Sequence, residues 1–298
     1  MNLAFIFNHS HENIWSTPGG LSTRLKSMGH NIDHYDLKKP NEVLILSKKH
    51  EFYDAVCLWE AGTIPDSIAD IWQKENFKNT LMMAESGDDP QIFGYNLKHT
   101  LPADIVLTPD HDSFNEYKRI GKNAFWMTHW GDEIVWKKCP ERDTGKISTS
   151  AGPRAGMWKN LMHILTTSFS EDFINPMMQG GRYISVEENV NLYDNSDIVV
   201  QVSSNKEITR RIFEASVCGR LVVTDRLSSS KKLNECLIED EHIVLYDSLE
   251  ECQEKIKMFL KEKDRRKKIA RQAYNHVIKN HSSRSRAEFL LNIINKNI

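Results

Sequence analysis

The sequence predicts an α/β fold built on parallel sheets, and two observations carry this expectation. Short apolar runs, several of them rich in β-branched residues, recur at 3–7, 32–37, 54–59, 80–84, 103–108, 124–128, 197–202 and 221–224. This is the pattern of strands buried on both faces. Helical patterns stand between many of them, and such alternation joins parallel strands through helical crossovers. A length of 298 residues adds the expectation of two domains.

Composition narrows the class. With 40% apolar and 27% charged residues, the chain has an ordinary globular balance. A formal net charge of −2 supplies no global basic field toward nucleic acid or membrane, although a local basic cleft stays open. Cys57, Cys139, Cys218, Cys236 and Cys252 are scattered without a C-x-x-C pair. That favours reduced thiols over a disulfide framework or a zinc site. The chain opens directly into a strand and has no run of about 18 apolar residues, so a cytoplasmic protein without a membrane span is expected.

Strand 3–7 leads through a polar loop to a helix opened by Gly19 and Gly20, which runs to about Met28. The loop lacks G-x-G-x-x-G, which disfavours a dinucleotide site of the usual kind. Paired glycines at a helix start would still offer free amides to an anion. His9 and His11 form an i,i+2 pair that could suggest a metal, but a plain polar loop accounts for them, and no metal is expected. Strand 54–59 precedes a helix over 65–74, with Pro65 in its first turn. Strand 80–84 runs into Glu85-Ser86-Gly87-Asp88-Asp89-Pro90, and strand 103–108 into Pro109-Asp110-His111-Asp112. A helix to Ile120 and strand 124–128 follow, ending in His129-Trp130-Gly131-Asp132. Polar clusters therefore stand at strand ends, where open α/β sheets bind ligands.

Residues 137–146 are polar, contain Pro140 and Gly145, and read as a linker between domains over 1–136 and 147–280. Strand 147–150 and a turn at 151–156 lead to a helix over 157–165 that carries Lys159. A short helix over 187–193 follows. Strand 197–202 then ends at Ser203, Ser204 and Asn205, which are cap and turn residues. Ile208, Ile212, Phe213 and Ala215 keep a helical period, and Gly219 stops the helix. Glu207 and Glu214, seven apart, would share one helix face. Helices over 249–261, 263–279 and 285–294 complete the chain. Arg265–Lys268 reads as a solvated helix face, with an anionic ligand as the alternative.

The stretch Arg211, Phe213, Glu214, Ala215, Cys218, Gly219 spells R-x-F-E-A-x-x-C-G before an apolar strand. It resembles the nucleotide-sugar site of the group 1 glycosyltransferases, and among them the CgeB-like (spore maturation type) members. The strand His242–Asp247, the basic helix after it, and the GDDP and TPD segments resemble the same pattern. The resemblance implies the GT-B fold: two Rossmann-like domains with parallel sheets facing across a cleft, and a terminal helix over 281–298 crossing back to the first. It implies transfer of a sugar from a nucleotide-activated donor, expected to be UDP-linked, to an unknown acceptor.

In that reading the second domain holds the donor. Glu214 would bind ribose or sugar hydroxyls; a capping or salt-bridged carboxylate is the alternative. Glu207 would approach the donor sugar, although family 4 enzymes have one residue more between the two glutamates. Arg154 and Lys159, with the amide of Gly152, would neutralise charge on the departing phosphate; solvated charge near a helix start is the alternative. Ser203, Ser204 and Arg211 would contact phosphate, as would Gly19 and Gly20 in the first domain. Asp88, His129 and Asp132 would face the acceptor, a general base among them. No cofactor is expected, and no D-x-D cluster ends an apolar strand. Two other classes stay open: a GT-B relic that binds nucleotide or glycan without turnover, and an enzyme glycosylating hydroxymethylated DNA bases. In the latter, nucleic acid would be the acceptor.

Overall fold

The computed structural model describes residues 1–8, 13–14, 16–149, 157–174, 185–203 and 205–298. The chain divides into two compact units: Met1–Thr128 with Ser283–Ile298, and His129–Ser282.

The first unit is a six-stranded parallel sheet. Its elements are β1 (Asn2–Phe7), α1 (Thr17–Ser27), β2 (Asn31–Asp36), α2 (Pro40–Lys49), β3 (Ala55–Leu58), α3 (Asp66–Ala69) and β4 (Leu81–Glu85). They continue with α4 (Phe93–Thr100), β5 (Ile105–Thr108), α5 (His111–Arg119) and β6 (Asn123–Trp126). The strand order is β2-β1-β3-β4-β5-β6. β1 is buried beyond its first residue, and β3, β4 and β5 are buried throughout. That burial is why these runs read as continuous apolar stretches. Leu37, Val43, Leu46, Val56, Leu58, Trp72, Phe77 and Met82 share one core.

The helix expected over 65–74 is confined to α3. Trp72 turns inward instead, fully buried, and its Nε1–H donates to the carbonyl of His99 at 3.0 Å. The chain then makes a 3-10 turn over Lys74–Phe77.

The second unit contains β7 (Ile147–Ser148), α6 (Met157–Ser168), β8 (Phe173–Ile174), α7 (Val186–Asp194), β9 (Ile198–Val200), α8 (Arg210–Val217) and β10 (Leu221–Asp225). After these come α9 (Leu233–Cys236), β11 (Val244–Tyr246), α10 (Leu249–Lys261) and α11 (Lys263–Asn280). All five strands are parallel, in the order β11-β10-β9-β7-β8. α7 starts in a full capping box of Ser185 and Glu188, and α10 under Ser248, whose side chain accepts the Glu251 amide.

Residues 137–146, read as a linker, are built into this unit. The Cys139 amide donates to the Cys218 carbonyl at 3.1 Å, and the Gly145 amide to Asp197 Oδ2 at 2.8 Å. Arg265–Lys268 is not wholly solvated either. Arg266 is buried and pairs with Asp143 at 2.7 Å and Asp197 at 3.1 Å. The terminal helix α12 (Ser283–Asn295) packs against α1 in the first unit. There Arg286 Nε donates to the Thr128 carbonyl at 2.9 Å.

Each sheet has one point where the strand order reverses. In the first unit it lies between β1 and β3, and in the second between β7 and β9. In open parallel sheets, the crevice beyond the carboxyl ends of such a pair is where ligands bind.

Candidate functional site

The second unit's switch point has a braced edge. The Ser203 amide, just beyond β9, donates to Asp225 Oδ1 at the end of β10 at 2.7 Å, and Thr224 Oγ1 donates to the same oxygen at 3.1 Å. Tyr246 of β11 donates to the Gln201 carbonyl at 2.9 Å. Three strand ends are thereby tied together below the loop 201–209. Burial pushes the Asp225 pKa up, and the Ser203 amide and Thr224 hydroxyl oppose the shift.

Ser203 Oγ accepts the Glu207 amide at 2.6 Å, closing a turn in which Lys206 takes a left-handed backbone (φ 53°). The chain straightens at Thr209, and α8 begins only at Arg210. Glu207 and Glu214 therefore do not share a helix face. Glu207 belongs to the turn, where its Oε1 accepts from Asn205 Nδ2 at 3.3 Å.

The start of α8 is open. Thr209 makes no side-chain cap, its buried hydroxyl has no partner among the described residues, and no acidic residue stands in the first turn. Arg210 and Arg211 stand there instead. A helix dipole and two guanidinium groups at an uncapped helix start are features that suit an anion. Glu214 lies one turn on, with Arg210 Nε 3.1 Å from its Oε1. The angle makes this an ion pair rather than a hydrogen bond. Burial raises the Glu214 pKa, while Arg210 and Arg211 pull it down. Arg210 also lies 5.9 Å from the centre of the Trp130 ring.

Other expected residues fall elsewhere. Lys159 is exposed in the first turn of α6, the helix that follows β7. Arg154, Gly152, Ser204, His9 and His11 lie outside the described residues. The amides of Gly19 and Gly20 are not free: Gly19 N–H donates to Ser16 Oγ at 3.0 Å and Gly20 N–H to the Ser16 carbonyl at 2.9 Å. Gly19 is required for packing, because a Cβ there would come within 2.2 Å of the Asn13 carbonyl oxygen.

His129 and Asp132, expected on the acceptor side of the first domain, belong to the second unit. The Gly131 amide between them donates to the His281 carbonyl at 3.0 Å, and Gly131 packs against Phe213 and Val217 of α8. Asp132 is fully buried and accepts the Ile134 amide at 3.0 Å, so it shapes a turn. Asp88 is exposed in the first unit with a left-handed backbone (φ 56°).

At and just past the end of β4 the first unit buries Glu85, which the sequence did not single out, and Asp89, which with Asp88 was the nearest candidate in the sequence for a metal site. Glu85 accepts the Glu60 amide at 3.0 Å, and burial pushes its pKa up to about 8. Asp89 accepts from Ser86, Asn96 and Thr108 at 2.5, 2.7 and 2.9 Å. The signal for both was an acidic run at the end of an apolar strand; Asp225 is a lone acidic residue at such an end, followed by Arg226. Among the described residues no group of three or more His, Cys, Asp or Glu side chains could hold a metal ion. No described helix is long and apolar enough to cross a membrane.

Comparison with known proteins bears on the fold. Residues 149–292, just under half the chain, match a family described as glycosyl transferase-like. No curated protein matches the sequence. Among solved structures, sucrose-phosphate synthase from Thermosynechococcus elongatus superposes with a TM-score of 0.69 at 11% identity, over 99% of this chain and 98% of that one. Alr3699/HepE of Anabaena, solved with UDP and glucose, gives 0.66 at 12% identity, over 99% and 100%. A glycosyltransferase from Rickettsia africae gives 0.63 at 15%, over 100% and 99%. The fold is that of the GT-B glycosyltransferases, and the braced edge around Ser203, Asp225 and α8 falls inside the glycosyl transferase-like region.

Proposed function

We propose that the protein is a glycosyltransferase that binds a nucleoside-diphosphate sugar, a UDP-sugar, at the carboxyl edge of the second unit's sheet. The observation that carries this reading is the uncapped start of α8, with Arg210 and Arg211, at the strand pair where the sheet order reverses. The diphosphate would meet this helix start and its guanidinium groups. Glu214 would accept hydrogen bonds from ribose or sugar hydroxyls, exchanging part of its pairing with Arg210. Lys159, with Arg154, would neutralise charge on the leaving phosphate. No metal is needed in this account, because cationic side chains take that role. The acceptor is assigned to the first unit, with Asp88 on that side. Membership of the CgeB-like group is part of the same proposal.

Thermal stability in the presence of nucleotides tests it first. UDP at about a hundred times its dissociation constant should add about 2.7 kcal/mol. Slow hydrolysis of a UDP-sugar, undiminished by EDTA, should accompany binding. No shift with any nucleoside diphosphate at millimolar concentration would overturn the donor site. Loss of turnover in EDTA, restored by magnesium, would overturn the metal-free account.

A further inference from the structure

At the opposite end of α8, Cys218 is the residue that closes the helix, followed by Gly219 in a left-handed conformation (φ 73°). Cys139 reaches it from the segment 137–146. The Cys139 amide donates to the Cys218 carbonyl at 3.1 Å, the Cys139 thiol donates to the Lys137 carbonyl at 3.6 Å, and the two thiols lie near enough to shift each other's pKa. A disulfide needs Cα atoms about 4.4–6.8 Å apart, and the backbone hydrogen bond brings the two main chains together at these residues.

The pair is asymmetric. Cys218 is fully buried, whereas Cys139 lines a small cavity of about 20 Å³. Arg220 lies against the Cys139 thiol, and its buried Nε has no acceptor among the described residues. The other end of that guanidinium is engaged: one terminal nitrogen donates to the Pro140 carbonyl at 3.1 Å and lies 3.4 Å from Asp194 Oδ1. The charge of that guanidinium favours a thiolate at Cys139. Its Cys218 partner and Arg220 lower the Cys139 pKa, while Cys218 is raised by Cys139 and by burial. Cys57 and Cys252 lie in apolar surroundings, where burial holds each thiol up at about 12.

We infer that Cys139 and Cys218 form a peroxide-oxidisable dithiol, with Cys139 the attacking and Cys218 the resolving cysteine. The Cys139 thiolate attacks one oxygen of hydrogen peroxide; an S–O bond forms, the O–O bond breaks, and hydroxide leaves to become water. The Cys218 sulfur then attacks the sulfenic sulfur. The S–S bond forms, the S–O bond breaks, and a second water leaves. Two thiols are oxidised and one peroxide is reduced. The bond would fasten the end of α8 to residues 137–146. This inference does not depend on the proposed transferase reading.

Intact-mass and peptide analysis of the reduced wild-type protein after treatment with hydrogen peroxide tests it. The mass should fall by about 2 Da, and one disulfide should link the peptides carrying Cys139 and Cys218. Cys57, Cys236 and Cys252 should remain alkylatable after denaturation. In Cys218→Ser, dimedone should label Cys139, because the sulfenic acid has no resolving partner. Wild-type protein that keeps free thiols at both positions, or that is oxidised first at another cysteine, would overturn the inference whether or not the variant folds.

Discussion

The two sheets end in different charge patterns. Both units are parallel sheets with a single reversal of strand order. The edge of the second mixes Lys206, Arg210 and Arg211 with Glu207, Glu214 and Asp225 beside an uncapped helix start. The edge of the first carries Glu60, Glu85, Asp88, Asp89 and Asp110. Two of its helix starts are occupied from within, α1 by Ser16 and α5 by Asp110, whose side chain accepts the Ser113 amide at 3.0 Å, whereas α2, α3 and α4 start without a side-chain cap. In the proposed reading a diphosphate would meet Arg210 and Arg211 at an uncapped helix start in the second unit and buried carboxyls in the first, so the local side chains, rather than the shared fold, would select the ligand.

The largest effect should come from the cations proposed to neutralise the leaving phosphate. Arg154→Ala and Lys159→Ala should each lower turnover about 10²–10³-fold with a smaller change in donor KM, because charge on the phosphate grows as the bond breaks. Steady-state kinetics on variants shown to be folded by circular dichroism would check this. Unchanged turnover in both would move the clamp to Arg210 and Arg211.

Glu214→Ala should weaken UDP binding about tenfold, as loss of a hydrogen bond to a charged group of roughly 1.5–3 kcal/mol requires. Calorimetry on the folded variant measures it. Equal affinity would leave Glu214 as a partner of Arg210 only.

A smaller effect belongs to the first edge. Glu85 binds its proton more tightly in the folded state, from its ordinary value of 4.5 up to about 8. The stabilisation is complete below the lower value and is lost as pH rises toward the upper one, with a slope of at most about 1.4 kcal/mol per pH unit. Denaturation of Glu85→Gln across that window should show the slope reduced and UDP affinity unchanged. A loss of affinity would contradict the separation of the two edges.

Much of the fold was legible because buried parallel strands announce themselves as apolar runs and glycines punctuate the helices, as Gly219 does after α8. α2 and α4 were not legible. Neither has a capping side chain at its start, and Leu44 and Ile45 of α2 remain exposed, which blurs its pattern. At the site, R-x-F-E pointed to α8 directly. The seven-residue spacing of Glu207 and Glu214 misled, because Ser203, Ser204 and Asn205 look like the cap, whereas α8 begins after Thr209. The later start follows from the Ser203–Glu207 turn and the left-handed Lys206, neither of which spacing reveals. Asp225 acts through a backbone amide in a neighbouring loop, a partnership only the sheet order creates.

Hydrogen–deuterium exchange with and without saturating UDP addresses the central claim most directly. UDP should slow exchange in peptides covering 199–217, where the β9 loop and the start of α8 lie, and leave 58–62 and 85–92 unchanged. Protection confined to the acidic edge, or no protection at 199–217 with UDP bound, would contradict the assignment of the nucleotide to the second unit.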